Sequence, residues 1–464
     1  MGSLFLPSTK FYFLASILFV LAIFWVSKSW EKVVMYGYWP LSIYYVGQLY
    51  VFQVIRAEEL YHPLYPDGRS LYFKFTPLLV LGVTMIITWI VKMFRGVYRA
   101  NWLISILLLS VLSRLASNYF GSGWVPNWVE IGKMVNNLSL IVWLWWAASY
   151  FKRINIEKKK YFWNYLSNTI KMSIIIASGL VFAQAVRGSV LGLVVEQRTS
   201  LPVTDSGVSW LTRTIGIWNH PNDAAIFIFF WLIAWLMIEV RNKKSLKEIL
   251  NRWLLIPLVA LICLQSRSVF LGLIPILFWL KFLYKKETNF EKIWKMKIKG
   301  WKLWILMGVM ALSVLVLGNR LWSSITNFGE YSGWDTRQKL MTVASQVIKN
   351  HFWWGVGDGN YIPVAFREDK SGIMKSFPES VHQGAVLILA EEGIIGILVW
   401  LIFIMVLVKY WWDRTKNNLK LRWLFLGSLL SQQIVIFFQP LSNILMANVL
   451  VAVLLLANED EKYF

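Results

Sequence analysis

Arg213, Arg267, Arg337, His220 and His382 are the side chains of this sequence best suited to work on an anion. A guanidinium stays charged at any working pH, and its planar fork grips carboxylate or phosphate oxygens two at a time. An imidazole, with an ordinary pKa of about 6.5, takes or gives a proton near neutrality. Polar partners stand close by in the chain: Asn222 and Asp223 follow His220, and Glu391-Glu392-Gly393 follows His382. Metal chemistry has little to work with. The four histidines, His62, His220, His351 and His382, lack zinc-ligand spacing. Cys263 is the single cysteine, so neither a thiol cluster nor an intrachain disulfide is expected.

These groups need a frame, and the sequence supplies a membrane frame. Of 464 residues 57% are hydrophobic and only 16% charged, against about 25% charged in an ordinary soluble chain. Trp210–Val240 shows the pattern: Arg213, Gly216 and the step His220-Pro221-Asn222-Asp223 lead straight into the apolar run Ala224–Ile238. About 20 apolar residues cross roughly 30 Å of hydrocarbon, so the polar step lies at the mouth of a helix. Similar runs recur along the chain, beginning with Phe11–Val26 and Val33–Ile55, the latter rich in Tyr, Trp and Gln and suited to a buried helix.

The net charge of +22 sits in the short gaps between runs, chiefly around Lys92–Arg99, Lys152–Lys160, Arg241–Lys247, Lys281–Lys302 and Lys409–Arg422. Cationic gaps of this kind mark cytoplasmic loops, and their dispersal speaks against nucleic acid as a partner. Followed along the chain, they place Arg213, Arg267 and His382 together on the outer side, from three loops far apart in sequence. The expected architecture is all-α, a polytopic bundle of about 12–14 crossings. Residues 1–190 form N-terminal transmembrane helices, and 191–464 a core that includes one large extracytoplasmic loop, 318–381. In that loop Leu340, Val343, Ala344, Val347 and Ile348 make one apolar helix stripe.

Three further features have two readings each. Arg114, near the end of the run Trp102–Ala116, reads as an interfacial anchor, or as a working residue. Gly355-Val-Gly357-Asp358-Gly359 reads as an ordinary turn, or as a backbone cradle for phosphate. Val381–Ala390 and Ile394–Val408 read as two helices, or as one broken near Glu391-Glu392-Gly393. An acid in so apolar a run is costly unless paired, so one of the two glutamates should meet an arginine.

The segments Arg213-Thr-Ile-Gly216…Pro221-Asn222, Ser266-Arg267, and His382…Glu391-Glu392-Gly393-x-x-Gly396 resemble the O-antigen ligase and Wzy-type polymerase superfamily. Asp335-x-Arg337 and Gly355-Val-Gly357-x-Gly359-Asn360 strengthen the resemblance, which covers roughly residues 200–410. Gln383 departs from the pattern, which often has Asn after the histidine.

The resemblance implies a multi-pass glycosyltransferase of the bacterial plasma (inner) membrane, with its active site facing outward and no metal or other cofactor. Its donor would be an undecaprenyl-diphosphate-linked glycan, and its acceptor a hydroxyl of another glycan or of a lipid-linked one. On that footing Arg213 and Arg267 would clamp the diphosphate and His382 would serve as base. His220, Asn222, Arg337, Glu391 and Glu392 would line the substrate site. A different class fits the same cations and helix count: a multi-pass transporter or flippase for an anionic, lipid-linked substrate. Against it, the charges cluster at one face, and no inverted repeat is visible.

Overall fold

The structure is a computed structural model. It describes residues 32–38, 52–54, 73–75, 77–94, 102–122, 154–189, 221–242, 252–283, 333–376, 380–414 and 419–438, with single residues at 29, 191, 214 and 216 and a few between 138 and 150.

The helical expectation holds, with one short ribbon added. A π-helical turn, Val33–Gly37, is buried and stapled by Trp143, whose indole N–H donates to the Val34 carbonyl at 3.1 Å. Strands β1 (Phe52–Val54) and β2 (Phe73–Phe75) pair antiparallel, with Gln53 opposite Lys74. A continuous helix over Val33–Ile55 is therefore not what forms. Phe-Gln-Val and Phe-Lys-Phe both alternate apolar and polar, the period of a strand.

Helices α1 (Pro77–Phe94), α2 (Trp102–Ser122) and α3 (Ile156–Arg187) follow. The side chain of Asn155 caps α3 by accepting the Lys158 N–H at 3.1 Å. Lys158–Lys160 thus lie in the first turns of α3, and the basic gap is shorter than its sequence suggests. Next come α4 (Pro221–Arg241), α5 (Arg252–Leu264) and α6 (Arg267–Leu283). After them stand α7 (Gly333–Asn350), α8 (Tyr361–Glu368), α9 (Ile373–Ser376), α10 (Gly384–Arg414) and α11 (Leu419–Phe438).

Among the described residues, three helices are long and apolar enough to cross a membrane: Ile156–Arg187, Pro221–Arg241 and Gly384–Asp413. The buried side chains form two clusters. The larger surrounds α4 and takes in α3, α5, α6, α11 and the far half of α10. The smaller gathers Leu340, Val343, Ala344, Val347, Val356, Tyr361, Val364, Ala365, Met374 and Val381 with Leu387 and Ala390. It contains the stripe expected on α7, and we call the segment 333–376 that builds most of it the cap.

Candidate functional site

The direction of each helix decides which ends share a face. A side chain at Gly272, early in α6, would meet Phe229 of α4 and Val435 and Ser431 late in α11. The start of α6 and the end of α11 therefore lie at the same level. Because α11 follows α10 directly, the start of α10 is on that side as well. The start of α4 joins them, Phe229 lying in its first half. The end of α3 is there too: Gln184 holds Gly216 with its amide, donating to the carbonyl and accepting the N–H, both at 2.8 Å. Gly216 takes φ +65° in this lock, a left-handed conformation suited to glycine.

Asn222 and Asp223, in the first turn of α4, thus share a face with Arg267 and with His382 just before α10. Asp223 sits where a helix dipole favours an acid. Arg213 and His220, both placed by sequence at this face, lie outside the described residues.

Arg267 opens α6, and the residues around it are deeply covered: Gln265 and Ser266 before it and Ser268 after it are all buried. Arg267 itself is partly buried, and its charge is opposed by that of Arg337 on α7. Among the described residues no carboxylate forms an ion pair with Arg267. Arg267 thus stands at the positive end of a helix, within electrostatic range of a second guanidinium, that of Arg337.

Helix α10 breaks at Gly393, whose φ of +67° and ψ of −170° are open essentially to glycine alone. A break frees the carbonyls of Ala390 and Glu391 and the N–H groups of Ile394 and Ile395. Residues 352–357 fill all four positions. Ile394 and Ile395 donate to the Phe352 and Trp353 carbonyls at 2.9 and 3.4 Å. Ala390 and Glu391 accept from Val356 and Gly357 at 3.0 and 2.8 Å. The approach leaves no room for side chains. A Cβ on Gly355 would lie 2.3 Å from the Glu391 carbonyl, and one on Gly393 2.3 Å from that of Trp353.

This seam settles the glycine turn. The N–H groups of Gly355, Val356, Gly357, Gly359 and Asn360 are all engaged by the protein, the fourth of them by the Glu391 carboxylate at 3.1 Å. The turn is a dock for the broken helix, and the phosphate-cradle reading falls.

Arg114 was expected at the lipid interface, and it is here instead. Its Nε lies 3.2 Å from Glu392 Oε1, and Nη1 lies 4.0 Å from Asp358 Oδ2. Glu392 is the glutamate that meets an arginine. Three residues on, the Ser117 hydroxyl reaches the carbonyls of Trp354 (2.7 Å) and Glu391 (2.6 Å). Gly121 lets α2 approach closely: a Cβ there would stand 2.3 Å from the Gly355 carbonyl. Sequence reasoning missed Arg114, Ser117 and Asp358. A clue was available, since Arg114 and Ser117 are polar residues three apart in an apolar run.

The cap carries its own polar ties. His351 and Asn350, at the end of α7, both bond Glu368 at 3.0 Å, which gives the third histidine a structural partner. Burial, then the charges of Glu391 and Asp369, raise the Tyr361 phenol above its usual range, so it stays neutral.

Residues 253–401 match the family model Wzy_C, described as O-antigen ligase. No curated protein matches the chain. The family match covers about a third of the sequence and includes Arg267, Arg337, His382, Glu391 and Glu392. It supports an O-antigen ligase-like family, and with the apolar helices it marks an integral membrane protein with a place in polysaccharide biosynthesis.

Proposed function

We propose that this protein is a metal-independent membrane glycosyltransferase of the bacterial plasma membrane, moving a glycan from an undecaprenyl-diphosphate-linked donor to an acceptor hydroxyl at the outer face. The observation that carries this reading is Arg267, which opens a helix beside Arg337 with no carboxylate paired to it among the described residues. Like charges held together are relieved by an anion, and a leaving diphosphate is such an anion. Fixed cations aimed at developing charge act most strongly where water is excluded.

Sidedness supports the outward placement. The basic gaps at Arg241–Lys247, Lys281–Lys302 and Lys409–Arg422 follow or link helix ends opposite the Arg267 face, and such gaps face the cytoplasm. The proposed roles are a diphosphate clamp of Arg213 and Arg267 extended by Arg337, with His382 as base toward the acceptor. His220 and Asn222 line the donor site. Glu391 and Glu392 serve as positioning residues, since one carboxylate holds Gly359 and the other Arg114. The full polytopic bundle, the division at residue 190 and an extracytoplasmic cap belong to the same proposal.

The test is transfer in membranes supplied with purified lipid-linked donor. Losing one partner of a buried charge contact costs about 2–5 kcal/mol, and 1.36 kcal/mol is a tenfold change in rate. Arg267→Ala should therefore slow transfer about 30-fold or more, with His382→Ala also impaired. Wild-type turnover by both variants at matched expression overturns the assignment, and so does substrate accumulation in vesicles without covalent product. In a deletion strain, residual single repeat units would identify a polymerase, and long lipid-linked polymer a ligase.

A further inference from the structure

Beside the seam lies an aromatic shelf that the proposed chemistry does not use. Tyr119 and Phe120 end α2, and Phe352 and Trp353 open the docked turn. All four are exposed, Phe120 by 60% and Trp353 by 67%. The rings meet in pairs: Tyr119 and Phe120 are 5.0 Å apart and Phe352 and Trp353 5.5 Å, and Phe120 also lies 4.7 Å from Trp354, the next residue of the same turn. A cluster of this kind is a patch with a partner.

The seam fixes its height. Phe352 and Trp353 are bonded through their carbonyls to Ile394 and Ile395, so the shelf stands at the upper limit of the unbroken part of α10. Below it α10 exposes Leu398, Leu401, Ile402 and Met405 along one helical stripe, and α2 exposes Leu109, Leu112 and Leu115. The two helices pack against each other, so the stripes lead into the same shelf. At the other end of the α10 stripe stand Trp412 and Trp423, 6.2 Å apart, with the Arg422 guanidinium 4.3 Å over the Trp412 ring. From Ile395 to Trp412 the helix rises about 26 Å, close to the roughly 30 Å of a hydrocarbon core.

We propose that Tyr119, Phe120, Phe352 and Trp353 form a foot inserted among the lipid headgroups of the leaflet on the cap's side. Tryptophan and tyrosine favour that layer because their rings are apolar and their edges polar. The foot is continuous with the apolar stripes, which fit acyl chains, and the Trp412–Arg422 pair marks the opposite interface. Its consequence is positional: a cap clamped to the bilayer surface keeps Arg337 at headgroup depth, where a lipid-borne phosphate resides. The inference rests on membrane insertion and stands whether or not the protein transfers sugar. Sugars also stack on aromatic rings, but the alignment of this shelf with two lipid-facing stripes favours the bilayer.

The test uses the full chain in liposomes, in a Cys263→Ala background that removes the one native thiol. A nitroxide is attached at Trp353→Cys, at Met405→Cys as a hydrocarbon reference, and at Ser345→Cys, exposed on α7, as an aqueous reference. Collision with oxygen and with a water-soluble nickel chelate then reports depth. The foot predicts a label at position 353 within about 5–10 Å of the boundary, with nickel access between the two references. Nickel access equal to that at 345 overturns the proposal. So does a label unaffected by lipid but immobilised by added soluble oligosaccharide, which would make the shelf a sugar platform. Phe120→Cys, tested in parallel, must give the same depth, so a folding failure at 353 leaves the question decidable.

Discussion

Helices α4 and α7 have similar lengths, 21 and 18 residues, and bury their side chains in different ways. From Ala224 to Val240 α4 is buried around its whole circumference. Helix α7 buries Leu340, Val343, Ala344 and Val347 and exposes Gln338, Lys339, Thr342, Ser345 and Lys349. An all-apolar helix belongs to a membrane or to the centre of a bundle, whereas a striped one has water on its other side. The two clusters therefore draw on different forces. Around α4, assembly replaces lipid by protein, and close packing and internal hydrogen bonds decide it. Across the bundle the Ser167 hydroxyl of α3 donates to the buried Glu239 of α4, while Ser173, Ser428 and Ser431 satisfy their hydroxyls on carbonyls four residues back in their own helices. In the cap, apolar area is taken from water, at about 25 cal/mol per Å². Helix α10 belongs to both: Leu387 and Ala390 join the cap's cluster, and Leu407, Tyr410 and Trp411 the bundle's. Gly393 is where one regime gives way to the other.

The largest predicted effect tests that junction. Removing Arg114 leaves Glu392 buried without its counter-charge, and breaking a buried pair from one side costs about 3–5 kcal/mol. Arg114→Ala should loosen the cap, and protease cleavage within 333–376 should accelerate in membranes while the bundle helices stay protected. Uniform loss of both regions would show that the two clusters unfold as one and would erase the distinction. Leu340→Ala comes next. It removes a side chain that is fully buried in the cap, a change that costs about 2–5 kcal/mol when a water-driven core is hollowed. Leu261→Ala, equally buried in the bundle, should cost less, because lipid also solvates the truncated helix. Thermal unfolding in bilayers, monitored in each region, checks the order; a reversed order breaks the comparison.

Much of this was legible in the sequence, for reasons that show where legibility stops. The α7 stripe has a helical period and the α4 run is uniformly apolar, so both could be read from local order. The break near Gly393 was visible because Glu391 and Glu392 interrupt an apolar run. The identity of the arginine partner was not, because Arg114 and Glu392 are brought together only by the packing of α2 on α10. The same holds for the glycine turn. Its glycines signalled close approach to something, and nothing local could say that a broken helix, and not a phosphate, was what approached. At Arg267, spacing placed a cation at a turn, whereas its neighbour Arg337 and the covering of Gln265–Ser268 are tertiary facts.

The smallest predicted effect separates the regions by pH. Asp369 lies in the turn between α8 and α9, where burial opposes its charge. Bonds from the Ser371 hydroxyl and the backbone N–H groups of Met374, Ser371 and Gly372 outweigh that and hold its carboxyl below the usual range. Distances of 2.6 Å to the hydroxyl and 2.7 and 2.8 Å to the Ser371 and Met374 N–H groups fit a charged acceptor. A group with a lowered folded pKa stabilises the fold above its unfolded value, about 3.9. That contribution is lost as pH falls through the lowered folded value. Amide protection at Ser371 and Met374 should therefore stay level near neutrality and decline below about pH 4. Asp369→Asn should show weakened protection throughout. The interior amides of α11 near Ser428 and Ser431, bonded without a carboxylate, should not follow. If they did, acid would be acting on the whole molecule, and the cap would lose its standing as a separately stabilised region.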